Sequence, residues 1–342
     1  MFLNEPFALW PKPASRVAST AKAHILSMCL SLLMSGAVPL VAQDTAQPSA
    51  AAQPGEEYAA TAPAAKPTTR PSGSDTVAYW YGTNYHTPFV VDSNTGKAAN
   101  IQRHALEMTH LQFWSKGSNF ADLMVSQSNM AEPASSGGSG ATEFYLIWRS
   151  NIGLNEISHS STFRKGPLRD VAVEFGTNLE TKNSAYSPAE KTLYIGPNLQ
   201  MAMPRGYLNV GLHLRKEWNH EAVLGKTDDY DPNFNIEPTW LVPFAIGKVH
   251  LAYSGFAEYN TAKGKDSFGS ETKPEFLIRS AVSVDLGALL FKKPQLMDLN
   301  GGLWYWHNEY GKPSSDPGAE QTTPMVGITF HLDGNRAHHP SK

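Results

Sequence analysis

From Thr76 to Leu332 apolar and polar residues alternate in short runs, broken by clusters of Gly, Pro, Asn, Asp and Ser. Successive side chains of a β-strand point to opposite faces, so this period of two predicts strands with one greasy face and one polar face. The clearest run sets Phe276, Ile278, Val282, Val284 and Leu286 against Glu275, Arg279, Ser283 and Asp285. Leu208, Val210, Leu212 and Leu214 alternate likewise with Asn209, His213 and Arg215, and Val171, Val173, Phe175 and Leu179 with Asp170, Glu174 and Asn178. About twelve such segments can be marked off, an even number of the kind that bacterial barrels use. They start near Thr76, Asn100, Asn119, Ala141, Leu168, Thr192, Gly206, Phe234, Val249, Thr272, Leu299 and Thr322. One segment resists assignment: between Ala98 and Trp114, Leu106 and Met108 are out of phase with Leu111 and Phe113. Beyond Asp75 no stretch reaches the roughly 18 apolar residues of a membrane-spanning helix, so any span must be made of strands.

A soluble sandwich alternates too, with its apolar face inward, so the period alone does not say which face meets lipid. Three further features bear on it. Arg16 and Lys22 precede a mostly apolar run from Ile25 to Val41, the layout of a secretory signal peptide cleaved after Ala37 or after Ala42. Trp80, Trp114, Trp148, Trp218, Trp240 and Trp304 fall near segment ends, as the aromatic girdles of a bilayer-spanning barrel do. The last segment, Met325 to Leu332, places Val326, Ile328, Phe330 and Leu332 on one face, a pattern similar to the terminal strand read by barrel-assembly machinery. These features predict an all-β, transmembrane, antiparallel up-and-down β-barrel in the outer membrane. The expected division is a signal peptide over 1–42, a disordered Ala- and Pro-rich tether over 43–75, the barrel over 76–332 and a C-terminal tail over 333–342.

Composition narrows the functions. The net charge is −3 with a pI of about 6.5, so no basic excess points to a nucleic-acid polymer. Cys29 is the one cysteine and lies in the apolar N-terminal run, which removes disulfides and cysteine chemistry from an exported barrel. A bulky Met28 before Cys29 argues against a lipoprotein signal. Phosphate loops, zinc spacings and EF-hand patterns are missing, and His338 and His339 read as a solvated tail, so the sequence offers no cofactor and no metal site.

Specific stretches carry a family resemblance. Asn233-Phe-Asn-Ile-Glu-Pro-Thr-Trp-Leu-Val-Pro-Phe-Ala-Ile-Gly-Lys248 resembles a strand-turn segment of the Tsx-like nucleoside-specific channel family. Leu111 to Asp122, Arg169 to Asn178 and Leu303 to Gly311 are similar to other parts of that family and its OmpK-like relatives. The resemblance spans nearly all of Thr76 to Leu332. It implies a narrow, monomeric, twelve-stranded barrel for passive uptake of nucleosides across the outer membrane, with phage-receptor activity in some relatives. The tether and the tail depart from the family pattern.

If the apolar face meets lipid, the opposite residues form the lumen. Its candidate lining is Asp122, Glu143, Tyr145, Arg149, Glu174, Asn178, Tyr194, Asn198, Asn209, His213, Arg215, Glu237, Phe256, Glu258, Arg279 and Glu309. A nucleoside offers a flat base and a hydroxyl-rich ribose, which such aromatic faces, amides and charges suit. Each charged residue has a plainer role beside this one, as an ion pair that stiffens the wall. Two rival functions stand against a channel. His159-Ser160-Ser161 has the spacing of an outer-membrane phospholipase pair, yet it sits in a Ser-rich connection without an orienting partner. A surface receptor would use the polar loops 131–140, 221–232, 261–270 and 311–321, whose composition reads as flexible linkage.

Overall fold

The computed structural model describes residues 72–185, 188–221 and 224–332. The expectations for the signal peptide, for the tether up to residue 71 and for the tail from residue 333 concern residues outside this set. The strands are β1 (Ser72–Tyr85), β2 (Ile101–Trp114), β3 (Gly117–Ser128), β4 (Thr142–Gly153), β5 (Leu168–Lys182), β6 (Ala189–Met201) and β7 (Tyr207–Glu221). They continue as β8 (Lys226–Asp229), β9 (Asn233–Ile246), β10 (Val249–Asn260), β11 (Glu275–Asp285), β12 (Met297–His307) and β13 (Glu320–His331). The expected starts fall close to these, the largest difference being Thr76 against Ser72, which moves residues 72–75 from the tether into β1.

All neighbours pair antiparallel, β6 pairs with β7, and β1 returns onto β13 through Thr76↔His331 to Gly82↔Met325, so the sheet closes into a twelve-stranded barrel. Closure leaves the wall without an open edge, which is the condition for strands to cross hydrocarbon. The thirteenth strand, β8, is a four-residue extra: it pairs only with the end of β7, from Trp218 to Glu221, while β9 pairs with Tyr207 to Arg215 of the same strand. No helix among the described residues is long and apolar enough to span a membrane, and crossing falls to the strands.

The two rims differ. At one, Ser115 and Lys116 join β2 to β3 and Gly247 and Lys248 join β9 to β10, while 154–167 and 286–296 are longer connections that each carry a short helix. Gly247 sits at φ 62°, the left-handed conformation that a two-residue hairpin demands. The free ends of β1 and β13 lie at this rim. The other rim carries longer connections, among them 86–100, 129–141, 261–274 and 308–319. In barrels of this design the short turns and termini are periplasmic and the long loops extracellular.

Side-chain direction follows parity. Leu193, Ile195, Leu212, Leu214, Phe234, Ile236, Val282, Val326 and Phe330 are exposed on the outer wall, whereas the charged partners of the same strands are buried inside. All three alternating runs read from the sequence point this way, the first of them up to Asp285, since Leu286 opens a short helix, Leu286–Phe291. Trp80 and Trp304 correct the girdle reading, because both have inward parity: the Trp80 indole N–H donates to Glu107 at 2.6 Å, and the Arg279 guanidinium lies 5.2 Å from the Trp80 ring and 5.5 Å from the Trp304 ring. Trp114, Trp148, Trp218 and Trp240 keep outward parity. One apolar cluster of the interior joins Trp80, Tyr85, Ile101, Met124 and Met325 from β1, β2, β3 and β13.

Candidate functional site

The interior of the barrel is the site, and it is built of charge. Lumen-facing positions alternate with lipid-facing ones on every strand, so each strand delivers a polar side chain inward about every second residue. Of the residues expected to line it, Asp122, Glu143, Tyr145, Arg149, Glu174, Asn178, Tyr194, Asn198, Asn209, His213, Arg215, Glu237, Phe256, Glu258 and Arg279 all lie on strands with inward parity. Glu309 is not on a strand: it belongs to a short turn, Glu309–Gly311, buried in the long-loop mouth.

Two ion pairs bridge distant strands across the interior. Arg149 on β4 reaches Glu237 on β9 at 2.9 Å, donates to the Asn178 side-chain oxygen at 2.8 Å and lies 4.1 Å from the Tyr194 ring centre. Arg279 on β11 reaches Glu107 on β2 with both terminal nitrogens, one of them at 3.0 Å. Each pair is a chord that ties together wall segments four strands apart. Next to the first chord, the Asn178 amide donates to the hydroxyls of Tyr145 at 2.9 Å and Tyr194 at 3.2 Å, and His213 pairs with Glu174 at 2.7 Å. The imidazole has room because position 211, opposite Glu237 on β9, is glycine; a Cβ there would meet the His213 ring.

The long-loop mouth holds a denser network. Arg103 and Lys182 each contact both Glu132 and Glu143, at distances from 2.8 to 3.3 Å. Thr87 and Ser128 add hydroxyl bonds to the Glu132 carboxylate at 2.9 and 2.6 Å. On the other side Lys263 pairs with Glu217 at 2.7 Å and Glu275 at 2.8 Å, and Arg215 with Glu217 at 2.6 Å. Two loop carboxyls here are pushed in opposite directions. Burial raises Glu132, but Arg103 and Lys182 outweigh it and hold the group well below the usual carboxylate range. Burial also raises Glu309, and the more distant Lys182 and Arg103 do not reverse it, so its carboxyl stays well above that range.

Several of these residues escape the sequence reading. Arg103 and Glu107 lie on the segment left unassigned; β2 in fact keeps one phase throughout, with Leu106 and Met108 outward and Leu111 and Phe113 inward at the short-turn end. Glu132 and Lys263 sit in stretches read as flexible linkage, and the structure corrects that: both are buried and ion-paired, at 0% and 1% exposure. Nothing in a polar loop sequence announces that it folds inward. His159 and Ser160 are exposed, and His159 makes no hydrogen bond to either serine; Ser160 bonds instead to Ser158 and Thr162. Among the described residues no cluster of His, Cys, Asp or Glu has the makings of a metal site.

A closed even-stranded antiparallel wall, apolar outside and charged inside, defines a β-barrel of the bacterial outer membrane. No protein-family model matches the chain, and no curated protein matches it. Among solved structures it is similar to an outer membrane channel of the COG4313 group from Pseudomonas putida F1, with 9% identity over 80% of this chain and 100% of that one at a TM-score of 0.45. It is also similar to the NanC porin, at 11% identity over 76% and 100% with a TM-score of 0.40, and to the KdgM porin, at 9% over 75% and 98% with 0.36.

Proposed function

We propose that the barrel is a passive channel for small polar solutes, with nucleosides as the solute class. The observation that carries this reading is the middle of the lumen, where aromatic faces stand beside hydrogen-bonding groups. Tyr145 and Tyr194 share the Asn178 amide, and the Arg149 guanidinium covers the Tyr194 ring. A flat base stacks on such faces for about 1–3 kcal/mol, and a ribose finds donors and acceptors around it. Binding of that strength orders a solute without trapping it, as conduction requires. The resemblance of Asn233 to Lys248 to the Tsx-like family supports the same solute class. In this reading the sixteen expected lumen residues, from Asp122 to Glu309, are the surface a solute meets.

The test is single-channel current from the purified protein in a planar bilayer, titrated with adenosine, thymidine and glucose. Saturable block by the two nucleosides and none by glucose is the expected result. Open current indifferent to nucleosides would overturn the solute class, and absence of current would overturn the channel.

A further inference from the structure

The ion pairs inside the lumen do not balance. Among the described residues buried Asp and Glu outnumber buried Lys and Arg by more than two to one. Most of the carboxylates are matched, but Asp122, Glu180, Glu258 and Glu309 have no cation within ion-pair distance; Glu180 and Glu309, at the long-loop mouth, accept from the Tyr310 hydroxyl at 2.7 Å and the Gln321 amide at 2.9 Å, which leaves Asp122 and Glu258 deeper in the lumen. Asp122 accepts a bond from the Thr109 hydroxyl at 2.8 Å, and its carboxyl also meets the Glu107 carboxyl of the β11–β2 chord in a side-chain hydrogen bond. Glu258 is 5% exposed and has no hydrogen-bond or ion-pair partner among the described residues.

Their placement is the point. The chord from β11 to β2 encloses β12, β13 and β1, and the chord from β4 to β9 encloses β5, β6 and β7. Two wall strands remain between the chords, β3 and β10, and in the closed order they stand half-way round from each other. β3 carries Asp122 and β10 carries Glu258. Register brings both to the level of the chords. On β3 the inward neighbours of Asp122 are Met124, opposite Glu107, and Phe120, opposite Arg149. On β10 Phe256 lies opposite Arg279, and the flanking pairs Phe256↔Thr239 and Tyr259↔Ile236 set Glu258 beside Glu237. The charges acting on Asp122 include Glu107 and Arg279, and those on Glu258 include Glu237 and Arg149. The passage between the chords therefore has two neutralised sides and two carboxylate poles.

We propose that Asp122 and Glu258 form a cation-selecting constriction, which admits potassium ions, neutral solutes and amine-bearing solutes and turns away anions. This rests on the channel reading and narrows it: nucleosides pass and nucleotides do not. Carboxylates in a narrow, low-dielectric passage concentrate cations and repel anions, and Glu258, buried without a partner, is free to meet an ammonium group directly.

The zero-current potential of the full-length protein in a planar bilayer under a KCl gradient tests this. A several-fold preference for potassium over chloride is expected, falling towards unity in Asp122→Asn with Glu258→Gln and part-way in Glu258→Gln alone. Heat-shifted gel migration verifies that each variant is folded. 1,4-Diaminobutane should block the wild-type channel and lose potency in Glu258→Gln, and AMP should fail to block where adenosine succeeds. Current with no cation preference, or with a preference that survives both substitutions, overturns the constriction while leaving a channel. No current in the wild type overturns the channel itself.

Discussion

At the scale of single residues, this interior shows how far an ion's worth depends on its partner. Arg149 is 4% exposed and joined to Glu237, so Arg149→Met strands a buried carboxylate and should cost about 3–5 kcal/mol. Urea titration in lipid vesicles, read by the gel shift of folded barrel, would register that loss. Glu132 and Glu309 provide a pH test with opposite signs. The depressed pKa of Glu132 stabilises the fold fully above its ordinary value of 4.5, and that contribution is lost as pH falls through the depressed value. The elevated pKa of Glu309 acts in reverse: its contribution is complete below 4.5 and is lost as pH rises through the elevated value. Hydrogen exchange of the 308–319 loop, corrected for the intrinsic rate, should therefore quicken on going from acid to alkaline buffer. In Glu309→Gln that dependence should flatten, because the amide does not ionise.

At the scale of elements, the strands were legible because lipid on one side and charge on the other enforce alternation along their whole length. Phe276, Ile278, Val282 and Val284 could be assigned to one face from sequence, and Val282 is 41% exposed on the outer wall. Val282→Arg would place a charge against hydrocarbon and should cost about 2–4 kcal/mol if it lies near the midplane, measurable by the same titration. What was not legible has a physical pattern. Trp80 and Trp304 looked like interface anchors because an indole is amphipathic, and inside a polar lumen that same property lets it bond Glu107 and take a guanidinium on its face. Leu111 and Phe113 disguised the phase of β2 because the lumen tolerates apolar residues near the short-turn end. Glu132 and Lys263 lie beyond the strands, and partners such as Lys182 for the first and Glu217 for the second are remote in sequence. Periodicity carries no information about contacts of that kind.

At the scale of the whole molecule, the chords fix the cross-section of the passage. Replacing both members of one chord with apolar residues, as in Arg149→Met with Glu237→Leu, removes the strut without stranding a charge. The barrel should then keep nearly its original stability, in contrast to Arg149→Met alone, and its single-channel conductance should rise. The wall itself has no strand left over to offer another chain, since every wall strand is paired on both sides. The exception is β8, which stands beyond the wall with β7 on one side only. An open edge of this sort invites pairing with a neighbouring molecule, and proteins that avoid it keep such edges short and charged. β8 has four residues, Lys226, Thr227, Asp228 and Asp229, and Asp228 is already engaged by the hydroxyls of Tyr230 and Ser267. The one place where this sheet is able to grow from molecule to molecule is thus too brief and too polar to seed a fibre, and crowding in the membrane plane brings barrels together without stitching them.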